Sequence, residues 1–290
     1  MAMNFHEAFN SPTADVILRS SDDIHFRAHR LILSEASVVF AGMFSLPVLP
    51  PMAPPSSSPN EEAKLPIVDL SEDGETLSGL LHVLYPGKPL QAPELGVLRK
   101  MLAAAEKYMI LGAKTLLGGL LLGQGLLETE PMRVYAVACR FRLCDAAILA
   151  AKATLKHPPL GLACPELEDL PAVAYLDLLR YREQRLNNTH RLDAHKLWKD
   201  NFKNRSPPHC GNCATKWWNN AYLPYVKDTL RRCTSSTALM SLECVQHVSG
   251  IVSAACITCQ QEMGTIFDLH TTVVVAVDKD IANAKFEPSW

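Results

Sequence analysis

The chain has no long hydrophobic run. Its most apolar stretch, Leu116 to Leu127, is twelve residues long and contains four glycines, whereas a membrane helix needs about twenty apolar residues. No membrane span is therefore expected. The opening residues MAMNFHEAFNS lack a basic segment followed by an apolar core, so no secretory leader is expected and the expected location is cytoplasmic or nuclear. Neither charge sign dominates: 28 Lys and Arg stand against 30 Asp and Glu, a formal charge of −2. That balance argues against wholesale nucleic-acid binding and points to protein partners. The chain also lacks GxSxG, GxxxxGK[ST], HExxH and a GxGxxG following a strand, so the expectation is a binding protein and not an enzyme.

What is present is ordinary globular composition, 48% hydrophobic and 20% charged over 290 residues, enough for two or three domains. The nine cysteines are an odd number and in a reducing compartment are expected to be thiols or metal ligands. Cys139 and Cys144 read as small apolar residues of a helix core. Leu46 to Pro66 carries seven prolines and three consecutive serines, the composition of a loop that buries too little to offset its ordering entropy. A Pro-rich ligand for SH3-like partners is the alternative reading of that segment.

Residues 15–44, DVILRSSDDIHFRAHRLILSEASVVFAGMF, are the most informative stretch of the sequence. Asp15 to Arg19 alternates polar and apolar, Ser20 to Asp23 supplies turn residues, and Ile24 and Phe26 resume the alternation, which predicts a hairpin followed by a helix. From Leu77 to about Arg205 the apolar residues recur at helical spacing, as in Leu77, Leu80, Leu81 and Leu84, or Val134, Val137, Ala138 and Phe141. Pro131, after Glu128 and Glu130, fits a helix's first turn. Phe267 to Lys285 mixes a β-branched run with a helical stripe, and its length, Asp268 and Pro288 favour a helix.

The spacing of Ala28, His29, Arg30, Leu33, Ser34, Ser37, Phe40, Met43 and Phe44 resembles the start of a BTB/POZ domain, whose pattern is DVxL, FxAHR/KxxL and SxxFxxMF. Pro66 to Leu70 with Asp73 to Pro86, and Leu98 to Leu111, resemble its third strand and later helices. The likeness spans roughly residues 11–117, about two fifths of the chain. Pro131 to Leu155, Leu176 to Tyr181 and the late cysteine pairs are similar, more loosely, to fungal BTB proteins of the mushroom lineage. The resemblance implies an α+β BTB/POZ domain over 11–117, a helical BACK-like extension over 118–205 and a C-terminal helical unit over 206–290. It also implies protein–protein interaction and possible self-association, with a cullin scaffold or a corepressor as the usual partner. Asp15, His29 and Arg30 match a charged pocket that in BTB repressors binds a partner peptide, or else they form a structural ion pair. Two departures bear on the partner. Val48, Leu49 and Pro50 lack the Glu of the cullin-contact element, and only about fourteen residues precede the first matched strand, fewer than the swapped N-terminal strand and helix of repressors.

Cys210, Cys213, Cys256 and Cys259 form two CxxC pairs 42 residues apart. Two such pairs complete a closed tetrahedral sphere, the form of a structural zinc site. Unmetallated thiols, a mixed sphere drawing on Cys244, His247 or His209, and a redox motif at Cys210 are the alternatives. Trp217, Trp218, Tyr222 and Tyr225 are expected to pack a small core beside the metal rather than to form a recognition surface. From Arg180 to Arg232 twelve basic residues face four acidic ones, read as a solvated basic face in preference to a nucleic-acid site.

Overall fold

In a computed structural model of the chain, residues 3–46, 65–85, 87, 90, 93–123, 125–157, 164–190, 218–253, 257, 260 and 263–290 are described. Most of the Pro-rich segment, residues 47–64, and the expected boundary near residue 205 lie outside them. The chain packs as two units, residues 1–126 and 127–290.

The first unit begins with strand β1 (Asn4–Asn10), then the hairpin β2 (Val16–Arg19) and β3 (Ile24–Ala28). Helices α1 (Arg30–Ala36) and α2 (Val38–Ser45) follow, then strand β4 (Ile67–Asp69) and helices α3 (Gly74–Leu84), α4 (Leu95–Lys107) and α5 (Leu111–Leu120). The sheet order is β1-β3-β2-β4. The expected hairpin is antiparallel with Leu18 opposite Phe26, while β1 and β4 add in parallel at the edges. Asp23 takes a left-handed conformation, φ 63°, in the hairpin turn, a conformation Asp tolerates better than most residues. Gly74 lets α3 start against the Ile24 side chain, where a Cβ would collide.

Val16, Leu18, Phe26 and Ala28 of the hairpin are buried, as are Leu33, Phe40, Leu77, Leu80, Leu81, Leu98 and Leu102 of the helices that follow. Phe40 is 1% exposed and stacks on Tyr108 at 4.7 Å between centroids. Ser37 caps α2 by accepting the Phe40 N–H at 3.1 Å and donates its own proton to the Tyr108 carbonyl, so one residue ties the helix start to the end of α4.

The second unit contains α6 (Leu126–Thr129), α7 (Pro131–Arg140), α8 (Cys144–Thr154), a 3-10 turn (Pro165–Asp169) and α9 (Ala172–His190). After a π turn (Trp218–Tyr222) come α10 (Leu223–Arg232), α11 (Ser236–Leu239), α12 (Leu242–Ser253) and α13 (Met263–Ala282). Pro131 is the first residue of α7, as its spacing predicts, and the final segment is helical. Helix α7 is buried nearly all round because α8 opposes it with Ala146, Ala147, Ala150 and Ala151. The Tyr135 hydroxyl donates to the Ala174 carbonyl at 2.7 Å. Cys139 is buried there as expected, and burial pushes its thiol up to about 12. Cys144 corrects the expectation: it is exposed, because it is the first residue of α8 and the alanine stripe that packs begins two residues later.

Removing a buried aromatic leaves a cavity that its neighbours refill only in part. Phe40→Ala is therefore expected to destabilise the first unit by about 3–5 kcal/mol. Urea melts of a fragment spanning residues 1–126, followed by far-ultraviolet circular dichroism, measure this, and a loss below about 1 kcal/mol would contradict the burial of Phe40.

Candidate functional site

The strand-to-helix junction between β3 and α1 brings Asp15, His29 and Arg30 together. Asp15 donates its N–H to the Ala28 carbonyl at 3.1 Å, and its carboxylate accepts the main-chain N–H of Arg30 at 2.7 Å. The contact between the two residues thus runs through the backbone. The Arg30 guanidinium lies over the Phe44 ring, 5.4 Å from its centroid, and its buried Nε has no hydrogen-bond partner among the described residues. His29 donates its N–H to the Tyr85 hydroxyl at 2.8 Å, while its Nδ1 lies 3.2 Å from that hydroxyl and its Nε2 3.0 Å from Thr13 Oγ1. Burial raises the Tyr85 pKa, keeping the phenol neutral as this arrangement requires. Thr13 and Tyr85, which sequence reading did not single out as site residues, are what hold the imidazole.

On the same unit a groove of about 610 Å³ is bounded by the α1–α2 corner, the end of α3 and the α4–α5 turn. Its walls are apolar, including Val38, Leu84, Met109, Ile110 and Leu116, and Glu35 is the charged residue among those lining it. Val38 is 68% exposed, Met109 58% and Leu116 49%. Apolar side chains grouped this way mark contact surfaces more often than scattered ones do. Met109 stands at φ 54°, its backbone closing the end of α4 through Ile110 N–H to the Ala105 carbonyl at 2.8 Å. That turn aims the Met109 side chain at the groove.

The family model of the BTB/POZ domain matches residues 5–122. This part of the chain is a BTB/POZ domain. No curated protein matches the chain. The match begins within β1, so the domain takes in the N-terminal strand that alternation did not reveal. In that strand Phe9 is 1% exposed and packs edge-on against His82 and Tyr85. The signal for it was weak, since NFHEAFN places its two phenylalanines four residues apart and fits helix and strand equally.

Outside the BTB/POZ domain, Cys210, Cys213, Cys256 and Cys259 lie outside the described residues, as do His209 and Trp217. Among the described residues no group of three or more His, Cys, Asp or Glu is placed to hold a metal. Cys244 is 1% exposed among Tyr222, Val226, Leu230, Val248, Val273 and Val277, and burial raises its pKa. His247 stacks on Tyr225 at 3.8 Å. Tyr222 is buried in this core, and its hydroxyl meets His270 Nδ1 at 2.9 Å. Among the described residues no helix is long and apolar enough to cross a membrane.

Asp15 supplies the acceptor for one of the N–H groups that the first turn of a helix leaves unpaired. Asp15→Ala is expected to cost about 1 kcal/mol, and Asp15→Asn a smaller amount because its amide oxygen still accepts. The same melts of residues 1–126 check both, and an unchanged midpoint for Asp15→Ala would show that water replaces the carboxylate without penalty.

Proposed function

We propose that the chain is a non-enzymatic adaptor whose BTB/POZ domain binds a protein partner through the groove between α1, α2 and α5. BTB/POZ domains are generally protein–protein interaction modules, and the match over residues 5–122 carries this reading. The apolar walls and Glu35 at the rim support an occupant that presents apolar side chains with a Lys or Arg opposite Glu35. A cullin scaffold or a corepressor is the partner class the resemblance implies, and kinship with fungal BTB proteins belongs to the same reading. The junction of Asp15, His29 and Arg30 shapes the α1 end of the domain. Partner pulldown from the source organism with wild-type protein and Val38→Glu tests the reading. A specific partner retained by wild type and lost by Val38→Glu, with circular dichroism unchanged, is the expected result. A partner held equally by both places the contact elsewhere, and binding of a purified cullin N-terminal region separates the ligase adaptor from other adaptors.

The C-terminal cysteines are proposed to hold one structural zinc ion. Two CxxC pairs supply four soft thiolates and leave no position for water, which suits a structural and not a catalytic metal. Binding of zinc to such a set contributes on the order of 10 kcal/mol to folding. The purified protein is expected to carry about one zinc per chain, lost in Cys210→Ser or Cys259→Ser and kept in Cys139→Ser, by plasma emission spectrometry. Metal-free protein prepared under reducing conditions whose C-terminal region still resists proteolysis would sink this reading and make the cysteines core or redox residues.

A further inference from the structure

After α13 the chain continues from Ala284 to Trp290 without regular secondary structure. Ala284 and Phe286 are buried while Lys285 and Glu287 are exposed, the alternation of an extended peptide lying on a surface. The Phe286 ring, 5% exposed, stands edge-on to two others, its centroid 5.9 Å from that of Tyr135 on α7 and 5.2 Å from that of Tyr181 on α9. Three residues on, one carboxylate oxygen of Asp177 on α9 accepts both the Ser289 N–H, at 3.0 Å, and the Ser289 hydroxyl proton. The Asp177 side chain is 10% exposed, and its other oxygen lies 3.7 Å from the Arg180 guanidinium. Pro288, between the two anchors, is half-buried and has no N–H to leave unpaired.

Beyond the turn that closes α13, the Ser289 N–H is the main-chain group of this segment that is hydrogen-bonded among the described residues, and its acceptor is a side chain. Side-chain anchors hold the segment where a helix or sheet ladder would otherwise do so, as in a bound short peptide. The seam is also incompletely satisfied. The Tyr135 hydroxyl is committed to the Ala174 carbonyl. The Tyr181 hydroxyl, in the other ring that meets Phe286, is buried without a hydrogen-bond partner among the described residues, and so are Trp290 Nε1 and Arg185 Nε. The Arg185 guanidinium lies over the Tyr181 ring, 5.9 Å from its centroid. Protein interiors pair nearly all such groups, so the chain's own segment leaves hydrogen-bonding capacity unused.

We propose that this seam is a peptide-binding site, filled here by the chain's own residues 286–290, and that it takes an extended, unphosphorylated segment of a partner protein in which an aromatic residue is followed three positions later by serine. The two tyrosine edges select the aromatic ring, since edge-to-face contact adds to the burial that an aliphatic side chain of similar size would also gain. Asp177 selects the serine. An ionised carboxylate only accepts, so it suits the paired N–H and O–H donors of one residue. A phosphate on that hydroxyl removes the donor and sets about two negative charges against the carboxylate. The site belongs to the second unit and uses none of the residues of the BTB/POZ groove, so the two readings stand or fall separately. A tethered occupant competes at an effective concentration of about a millimolar or more, so an outside peptide is expected to bind well only when the chain's own segment is weakened.

Fluorescence polarisation of a synthetic peptide of residues 284–290, labelled with fluorescein and blocked at both ends, tests the site on the full chain. The chain carrying Phe286→Ala with Ser289→Ala is expected to bind the peptide saturably and about tenfold or more tighter than wild type does. Adding Asp177→Ala should weaken that binding by about tenfold or more, the factor that loss of a hydrogen-bonded charge supplies. Peptides carrying Phe286→Ala, or phosphoserine at 289, should bind weaker by at least as much. No saturable binding to the folded double variant overturns the proposal and makes the segment a fixed part of the core. Equal binding to wild type and double variant, or binding indifferent to Asp177→Ala or to the phosphate, places the peptide elsewhere and overturns it too. Where circular dichroism shows that Phe286→Ala does not fold, Phe286→Leu with Ser289→Ala keeps the seam filled while losing both anchors' specific contacts, and the same outcomes decide.

Discussion

The first unit depends on giving partners to the main-chain N–H groups at the starts of its helices, which no intrahelical carbonyl can reach. Helices α1, α2 and α3 span only seven, eight and eleven residues, lengths at which an isolated helix is unstable in water. Each begins on a side chain from elsewhere or from its own cap. Asp15 takes the N–H of Arg30, Tyr85 that of His29, Ser37 that of Phe40 and Asp73 that of Thr76. The Asp73 carboxylate is held down to about 2, first by the Lys100 ammonium and then by Thr76. These bonds link β2 to α1 and the end of α3 to α1, and the Ser37 hydroxyl, donating to the Tyr108 carbonyl, links α2 to α4. The groove between α1, α2 and α5 is the outer face of that same framework.

Such links explain why part of the domain was legible in the sequence and part was not. The hairpin was readable because IHFRA alternates as a strand with one buried face must, and the short apolar run Val16–Leu18, all of it buried, is bounded by the turn residues Ser20 to Asp23. The positions of Phe40 and Pro131 were readable from helical spacing and from proline's missing N–H. Strand β1 was not, because its burial rests on Phe9 meeting His82 and Tyr85, residues more than seventy positions away. Tyr85 shows the same limit: a phenol at a helix end gives no sign of which distant N–H it will accept. Cys144 was misplaced for a local reason. Its neighbour at helical spacing is Ala147, which does pack, but the stripe starts only once the helix has turned toward α7.

In the second unit the unusual groups are polar ones taken out of water. Arg182 is 6% exposed, and it caps the end of α8 by donating to the Thr154 carbonyl and, at 2.8 Å, to that of His157. Burial lowers its pKa, the direction expected for a cation in apolar surroundings. The His270 ring bridges Tyr222 and the Leu239 carbonyl at 2.9 and 3.0 Å. A carbonyl only accepts, so His270 carries its proton on Nε2 and receives the Tyr222 proton at Nδ1, which specifies how α11, α13 and the π turn meet. Satisfied networks of this kind define one packing among many apolar alternatives. The apolar setting of Cys244 belongs to that core, and the two CxxC pairs stay the proposed metal ligands.

The two units share one further device that separates backbone from function. Helices α4 and α7 both end on a non-glycine residue at φ 54°, Met109 and Arg142, and both close with the next N–H at 2.8 Å on a carbonyl five residues back. Left-handed backbone costs an L-residue about 1–2 kcal/mol, and glycine would relieve it at either place. The cost is therefore the same and the side chain is what differs. Arg142 offers a charge to solvent, as an exposed helix end ordinarily does. Met109 leaves a flexible apolar chain 58% exposed over the groove. Because solvent favours neither the conformation nor the exposure of Met109, a contact with an apolar partner is the interaction that would compensate for both, and the adaptable thioether suits a surface that must fit another protein.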